Sequence, residues 1–214
     1  MTTTIPGPDA AVATRRPGAA AIGDDRLLPQ VVRLEAGRVR VRPAHHGDGP
    51  GLQALLGRMS VRTRWLRFHS PVVQFTPAQL RSLVEADHRD HETLLAEVEL
   101  DGRWHLAGFA QYHRLGEGER HAESAIALAD AWQRRGIGGV LARCLAEAAS
   151  RAGITAFTGE VLSENHGALG FISGLTPRLE RRLHGTTIEL VCWLSRRPDA
   201  SSTPSPDRRP QPGR

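Results

Sequence analysis

Between residues 122 and 151 the chain passes from an alternating strand, through a turn crowded with glycine, directly into an amphipathic helix. The turn reads Ala131-Trp132-Gln133-Arg134-Arg135-Gly136-Ile137-Gly138-Gly139. Beyond it, Ile137, Val140, Leu141, Cys144, Leu145 and Ala148 form one apolar stripe, and Arg143, Glu147 and Arg151 face away at i, i+4 spacing. The helix therefore begins at the glycines. A helix start bares N–H groups that have no intrahelical acceptor and carries the positive end of the helix dipole. Glycine removes the side chains that would hold an anion away. The segment suits a diphosphate cradle reinforced by Arg134 and Arg135, or else a glycine turn with no ligand. A dinucleotide fingerprint fits poorly, because its third glycine would fall on Leu141. A Walker-type phosphate loop is excluded: it needs Lys after its glycines, and all 28 Lys and Arg residues here are Arg.

The elements around this turn define the fold class. Gly37–Pro43 alternates as a first strand, and helices follow at 48–59, 61–68 and 76–86, the last opened by Thr76-Pro77 as N-cap and first helical residue. Strands at 91–100 and 104–115 are joined by Asp101-Gly102, a tight-hairpin signal. A fourth strand at 122–129 leads through the glycine turn and the 137–151 helix to a fifth at 154–162. A short helix from Asn165 to Gly174 and two last strands near 178–183 and 187–194 complete the order. A helical crossover makes the fourth and fifth strands parallel neighbours. The expectation is an α/β fold with a single mixed, mostly antiparallel sheet of about seven strands, flanked by helices.

Two tails frame that domain. Residues 1–35, rich in Pro, Gly, Ala and Thr, lack a sustained period and are expected to be mostly disordered; 196–214, rich in Pro, Ser and Arg, are expected to be a second disordered tail, leaving 36–195 as one folded domain. The net charge of +5 is concentrated at the C-terminus, where from Ser195 onward five Arg stand against two Asp. The folded part is nearly balanced and shows no basic stripe interleaved with aromatics, so no nucleic-acid partner is expected. No apolar stretch reaches membrane-spanning length, and nothing resembles a signal peptide. Cys144 and Cys192 are in unrelated contexts, as expected for reduced thiols in a cytoplasmic protein.

Gln133-Arg134-Arg135-Gly136-Ile137-Gly138 resembles the Gln/Arg-x-x-Gly-x-Gly/Ala signature of the GCN5-related N-acetyltransferases, and the order of elements over residues 37–194 is similar to that fold. The resemblance implies acetyl-CoA as co-substrate, with its pantetheine arm added like a strand beside Ile126, Ala127 and Leu128. It implies a diphosphate on the amides of Arg134 to Gly139, and Asn165, which also suits a helix N-cap, touching the cofactor arm. The residues themselves offer a further reason for the first contact: Ala125, Ala127 and Ala129 share one face of the strand and leave space for a thin ligand.

Acyl transfer from a thioester to an amine requires removal of an ammonium proton, polarisation of the thioester oxygen and protonation of the departing thiolate. Glu123 lies on the same face as Ala125 and Ala127 and is the expected general base; its position resembles the Glu of the bacterial branch that acetylates protein lysines. Glu160 is the alternative base, and the N–H of Leu128 the expected oxyanion donor. Where many relatives carry a Tyr acid, this chain reads Phe171-Ile172-Ser173, and its single Tyr is Tyr112. The segment 60–68, with Trp65 and Phe68, and then Asp87-His88, resembles the acceptor-side helices of that branch, although both aromatics also suit a core. Asp87-His88-Arg89-Asp90-His91 has metal-ligand residue types in a spacing that reads as a polar loop, so no metal is expected. Three functions follow: acetylation of a protein lysine or N-terminus, acetylation of a small amine, or acyl-CoA binding without turnover. Glu123 argues against the last. Lacking Lys, the chain has no side-chain amine of its own to acylate.

Overall fold

The computed structural model describes residues 28–70, 72–176 and 178–194. The C-terminal tail expected at 196–214 and residues 1–27 of the N-terminal one lie outside them. The strands are β1 (Gln30–Leu34), β2 (Gly37–Pro43), β3 (His91–Leu100), β4 (Arg103–Arg114), β5 (His121–Leu128), β6 (Ala156–Leu162), β7 (Arg178–His184) and β8 (Thr187–Trp193). The helices are α1 (Gly49–Gly57), α2 (Val61–Phe68), α3 (Pro77–Val84), α4 (Ile137–Arg151) and α5 (His166–Leu175). One sheet carries all eight strands in the order β1-β2-β3-β4-β5-β6-β8-β7, and β5–β6 is its parallel pair.

The eighth strand is β1, inside the stretch expected to be tail. It is short, half exposed, and enters its hairpin with β2 through Glu35-Ala36, a turn without glycine at its centre. The glycine that the turn needs comes one residue later: Gly37 has φ +108°. By contrast, Asp101 and Gly102 both have positive φ (48° and 73°), as a tight two-residue hairpin requires.

Three of the helices, α2, α3 and α4, start for a legible reason. The Ser60 hydroxyl accepts from the Thr63 amide at 3.1 Å to open α2. Thr76 and Gln79 cap α3 reciprocally, at 2.8 and 3.2 Å. Gly136, in the left-handed region at φ +82°, lets the chain turn sharply into α4. The two faces of the sheet bury separate cores. On one, Ile137, Val140, Leu141 and Leu145 of α4 pack on Val41, Leu94, Ile126 and Leu128. On the other, Leu52, Leu55 and Leu56 of α1, with Phe75 and Leu83, pack on Leu95, Phe109 and Ala127.

Candidate active site

β5 and β6 pair only from His121↔Ala156 to Glu123↔Thr158; beyond that point the register ends. On its other side β5 stays paired to β4 as far as Leu128. Gly108 of β4 permits that close approach, since a Cβ there would stand 2.4 Å from the Ala127 carbonyl oxygen. In an antiparallel ladder alternate residues turn both polar backbone groups to the same neighbour. The Ala129 amide donates to Ala107 at 3.0 Å and the Leu115 amide to the carbonyl of His121 at 3.1 Å, so the odd residues of β5 serve β4. Ile126 and Leu128 therefore direct N–H and C=O into the gap where β6 has left. Carbonyls on that side already accept from outside the ladder: Ala122 from Thr158 at 3.4 Å, and Leu128 from the Gln133 amide group at 3.2 Å.

Behind the gap lies a groove of about 130 Å³, with Ser124–Ile126, Phe157–Gly159 and Val161 on the strands, Ala142 and Ala146 on α4, and Phe171 and Ile172 on α5. Its walls are mainly apolar, and its space comes from parted strands. The expectation that the alanine face of β5 leaves this space needs correction. Ala125 does line the groove, but Ala127 and Ala129 are buried in the core on the opposite face, against the Phe109 side of the sheet. A small residue there was filled by neighbouring side chains.

The glycine turn is open. Arg134, Arg135 and Gly136 are exposed, and Arg134 shares the left-handed backbone of Gly136 at φ +59°. The first bond that closes onto α4 runs from Val140 to the Gly136 carbonyl at 3.3 Å, so the amides of Ile137, Gly138 and Gly139 precede the intrahelical ladder. Gly138 is buried where a Cβ would meet the Phe171 ring at 3.4 Å and Leu128 at 3.5 Å, which joins turn, α5 and β5. The Gln133 side chain faces inward, toward the Leu128 carbonyl and the Thr63 hydroxyl (3.4 Å). Asp130 accepts from the Ser60 amide at 2.8 Å and the Thr63 hydroxyl at 2.9 Å, tying the start of α2 to the turn. Asn165 caps α5, accepting from the Ala168 amide at 3.0 Å, and is buried.

On the opposite face Glu123 lies in a polar row: in register, His91, His113, Glu123 and Thr158 stand side by side on four adjacent strands. The His91 and His113 rings stack with centroids 3.8 Å apart. Burial pulls the pKa of His91 down to about 4, with the neighbouring His113 adding to the effect; burial lowers His113 as well. Arg67 of α2 is 1% exposed, sits over the Phe109 ring and interacts electrostatically with Glu123. Burial lowers its pKa to about 9 against that attraction. Had the β5–β6 ladder continued, Ala125 would face Glu160. Glu160 in turn interacts with His69, the residue that ends α2.

Sequence reading missed Arg67, His69 and His113. A signal existed for Arg67 alone, four residues after the buried Thr63 on a helix and thus on its inner face. Trp65, read as a core candidate, is 45% exposed, with Val61 exposed one turn earlier; Phe68 does pack, edge-on against Phe75 at 5.7 Å. Tyr112 is wholly buried, its hydroxyl donates to the Arg89 carbonyl at 3.2 Å, and burial pushes its pKa to about 12. Asp87 accepts from the amides of Arg89, Asp90 and His91 at 2.8–2.9 Å, and among the described residues no cluster has metal-site geometry.

A parallel strand pair thus parts beside an open glycine turn at the start of a helix. Residues 60–175 match the acetyltransferase (GNAT) family, and the chain belongs to it; the protein is an acyltransferase. The acetyltransferase PA5475 of Pseudomonas aeruginosa is 31% identical over 142 residues, spanning 66% of this chain and 74% of that one. The GNAT domain of S. lividans PAT shares the fold with a TM-score of 0.69 at 24% identity, over 77% of this chain and 96% of that domain. A cAMP-binding acyltransferase from Mycobacterium smegmatis follows at a TM-score of 0.54 and 23% identity, over 84% of this chain; the chain spans 50% of that protein. Members of this family generally use acetyl-CoA as co-substrate.

Proposed function

We propose that the protein transfers an acetyl group from acetyl-CoA to a primary amine, and that the acceptor is a protein lysine or N-terminus. One observation carries the reading: β5 and β6 part after Glu123 and Thr158, and the opening leads to the exposed turn that starts α4. In this reading the amides of Arg134 to Gly139 hold the diphosphate, with the Arg134 and Arg135 guanidinium groups beside it. The pantetheine arm takes the place of the missing strand and pairs with Ile126 and Leu128, whose polar groups face the gap. Ala127 contributes backbone shape only, since its own N–H serves β4. Gln133 acts indirectly, by fixing the Leu128 carbonyl. Asn165 orders the start of α5 at the edge of the groove.

Glu123 is the general base. It takes a proton from the acceptor ammonium, and the free amine attacks the thioester carbon from the α1–α3 face. The Leu128 N–H, or that of Ile126 nearer the start of the gap, accommodates the charge that develops on oxygen. Arg67 fixes the Glu123 carboxylate and keeps a counter-charge beside it. The exposed pair Val61 and Trp65 on α2 favours a protein acceptor, because it offers apolar surface beside the amine entrance.

The test is incubation with acetyl-CoA and a mixed panel of lysine peptides and small amines, reading free thiol. Release with peptides supports the reading. Release with small amines alone moves the acceptor to that class. Acetyl-CoA binding without thiol release from any acceptor leaves a binding module instead of an enzyme of this specificity.

A further inference from the structure

The β5–β6 ladder is closed from His121↔Ala156 to Glu123↔Thr158. A carrier lying in the gap therefore ends against that closed stretch, and any chain on its thioester must leave the plane of the sheet there. Two faces are open to it. On the α1–α3 face stands the row of His91, His113 and Glu123, with the buried Arg67 guanidinium interacting with Glu123. A methylene chain would strip water from charges on that side. On the α4 face lies the apolar groove.

The groove meets the gap at the acyl end. Its wall on β5 is Ser124, Ala125 and Ile126, the residues next to Glu123; Leu128, Gln133 and the glycine turn lie outside its lining. From there it runs away from the turn. The β6–β8 register sets Cys192 opposite Phe157 and Trp193 opposite Ala156, level with the closed part of the ladder, and both Cys192 and Trp193 line the groove. Ala142 and Ala146, in the second and third turns of α4, border the same space. Arg143 is the one charged residue among those lining it, and its guanidinium reaches back toward the turn, 3.5 Å from where a Cβ on Gly139 would stand. Two hydroxyls of the wall are turned into the protein: Thr158 donates to the Ala122 carbonyl at 3.4 Å and Thr176 to the Trp193 carbonyl at 2.6 Å. Burial pushes the Cys192 thiol up to about 11, as a dry wall does.

The space amounts to about 130 Å³. A dry apolar cavity of about 150 Å³ takes up a benzene ring, so this groove has room for a chain of about four to six carbons. An acetyl methyl leaves it empty.

We propose that the groove is an acyl-chain pocket, and that the enzyme takes unbranched acyl-CoA donors of about four to six carbons in preference to acetyl-CoA. The inference rests on the acyl-transfer reading above, with the carrier arm in the gap and the amine arriving from the opposite face. The chemistry is the same for every donor. The ammonium gives one proton to Glu123, the nitrogen bonds to the acyl carbon and loses a second proton to water. The C–S bond breaks with its electron pair on sulfur, and the thiolate takes a proton from water.

A donor series tests this. Acetyl-, propionyl-, butyryl-, hexanoyl- and palmitoyl-CoA are each assayed for thiol release with the panel acceptor that the wild type turns over fastest, and each is titrated by calorimetry without acceptor. Both kcat/KM and affinity should rise about fourfold per methylene from acetyl to butyryl, as expected for burying one CH₂, level off near hexanoyl and fall for palmitoyl. Ala146→Phe and Ala142→Leu fill the groove from a helix that tolerates both residues. Each should lower the butyryl-CoA values about tenfold while acetyl-CoA stays within about twofold, which flattens the series. A wild-type series that falls from acetyl onward overturns the proposal. So do variants of wild-type melting temperature that weaken acetyl- and butyryl-CoA equally, because the groove would then hold the carrier arm itself. Absence of thiol release with every donor would instead overturn the transfer reading, and the calorimetric series would still decide the pocket.

Discussion

On the α4 face of the sheet, the polar groups that face the gap and the open turn are amides: Ile126 and Leu128 at the parted edge, and the first turn of α4. On the α1–α3 face they are side chains, Arg67 and His69 from α2, His113 from β4, Glu123 from β5 and Glu160 from β6. Amides are positioned by local backbone geometry and survive most substitutions around them. A side-chain cluster assembled from four elements depends on each contributor, and the buried guanidinium of Arg67 makes its loss costly. The cofactor side should therefore be tolerant, and the acceptor side fragile.

The sharpest break of that contrast is at Glu123. Glu123→Gln should lower kcat by about 10²–10⁴ while acetyl-CoA binds as before, measured by steady-state kinetics and calorimetry; equal losses in both would erase the distinction between faces. Arg67→Ala should cost about 1–3 kcal/mol of stability by emptying a fully buried site, as read in chemical denaturation. Gly136→Ala, at φ +82°, should cost about 1–2 kcal/mol and weaken acetyl-CoA, with Glu123-dependent chemistry intact at saturation. Replacing both exposed residues Arg134 and Arg135 by Ala should weaken acetyl-CoA only a few-fold, about 1 kcal/mol or less, and more so at low salt.

The smallest effect concerns acid. His91 binds its proton less readily folded than unfolded, so its contribution to stability is complete above about 6.5 and lost as pH falls toward about 4. Thermal melts should show the wild type losing stability across that window more steeply than His91→Gln.

This contrast also explains what could be read from sequence. The parallel pair, the crossover helix and the glycine turn were legible because each is a local pattern: alternation, a 3.6-residue stripe, glycines at a helix start. β1 was not, because its turn keeps glycine one residue past the centre and its strand is half exposed. The alanine face of β5 gave a wrong inference about space, since small side chains show where bulk is absent on one strand but not what packs across it. The electrostatic interactions of Arg67 with Glu123 and of His69 with Glu160 join residues more than 50 positions apart, and no local period announces such a meeting. His113 beside Glu123 could be placed only once the β4–β5 register was fixed.

The account depends on an extended carrier lying in the gap between β5 and β6 with its charged end on the glycine turn. Amide hydrogen exchange of the protein with and without saturating acetyl-CoA tests this most directly. Slowed exchange at Ile126, Leu128 and Arg134–Gly139, with the β4-facing amides of Ala125 and Ala127 unchanged, is the predicted result. Binding that leaves Ile126, Leu128 and the turn at their free rates would contradict it.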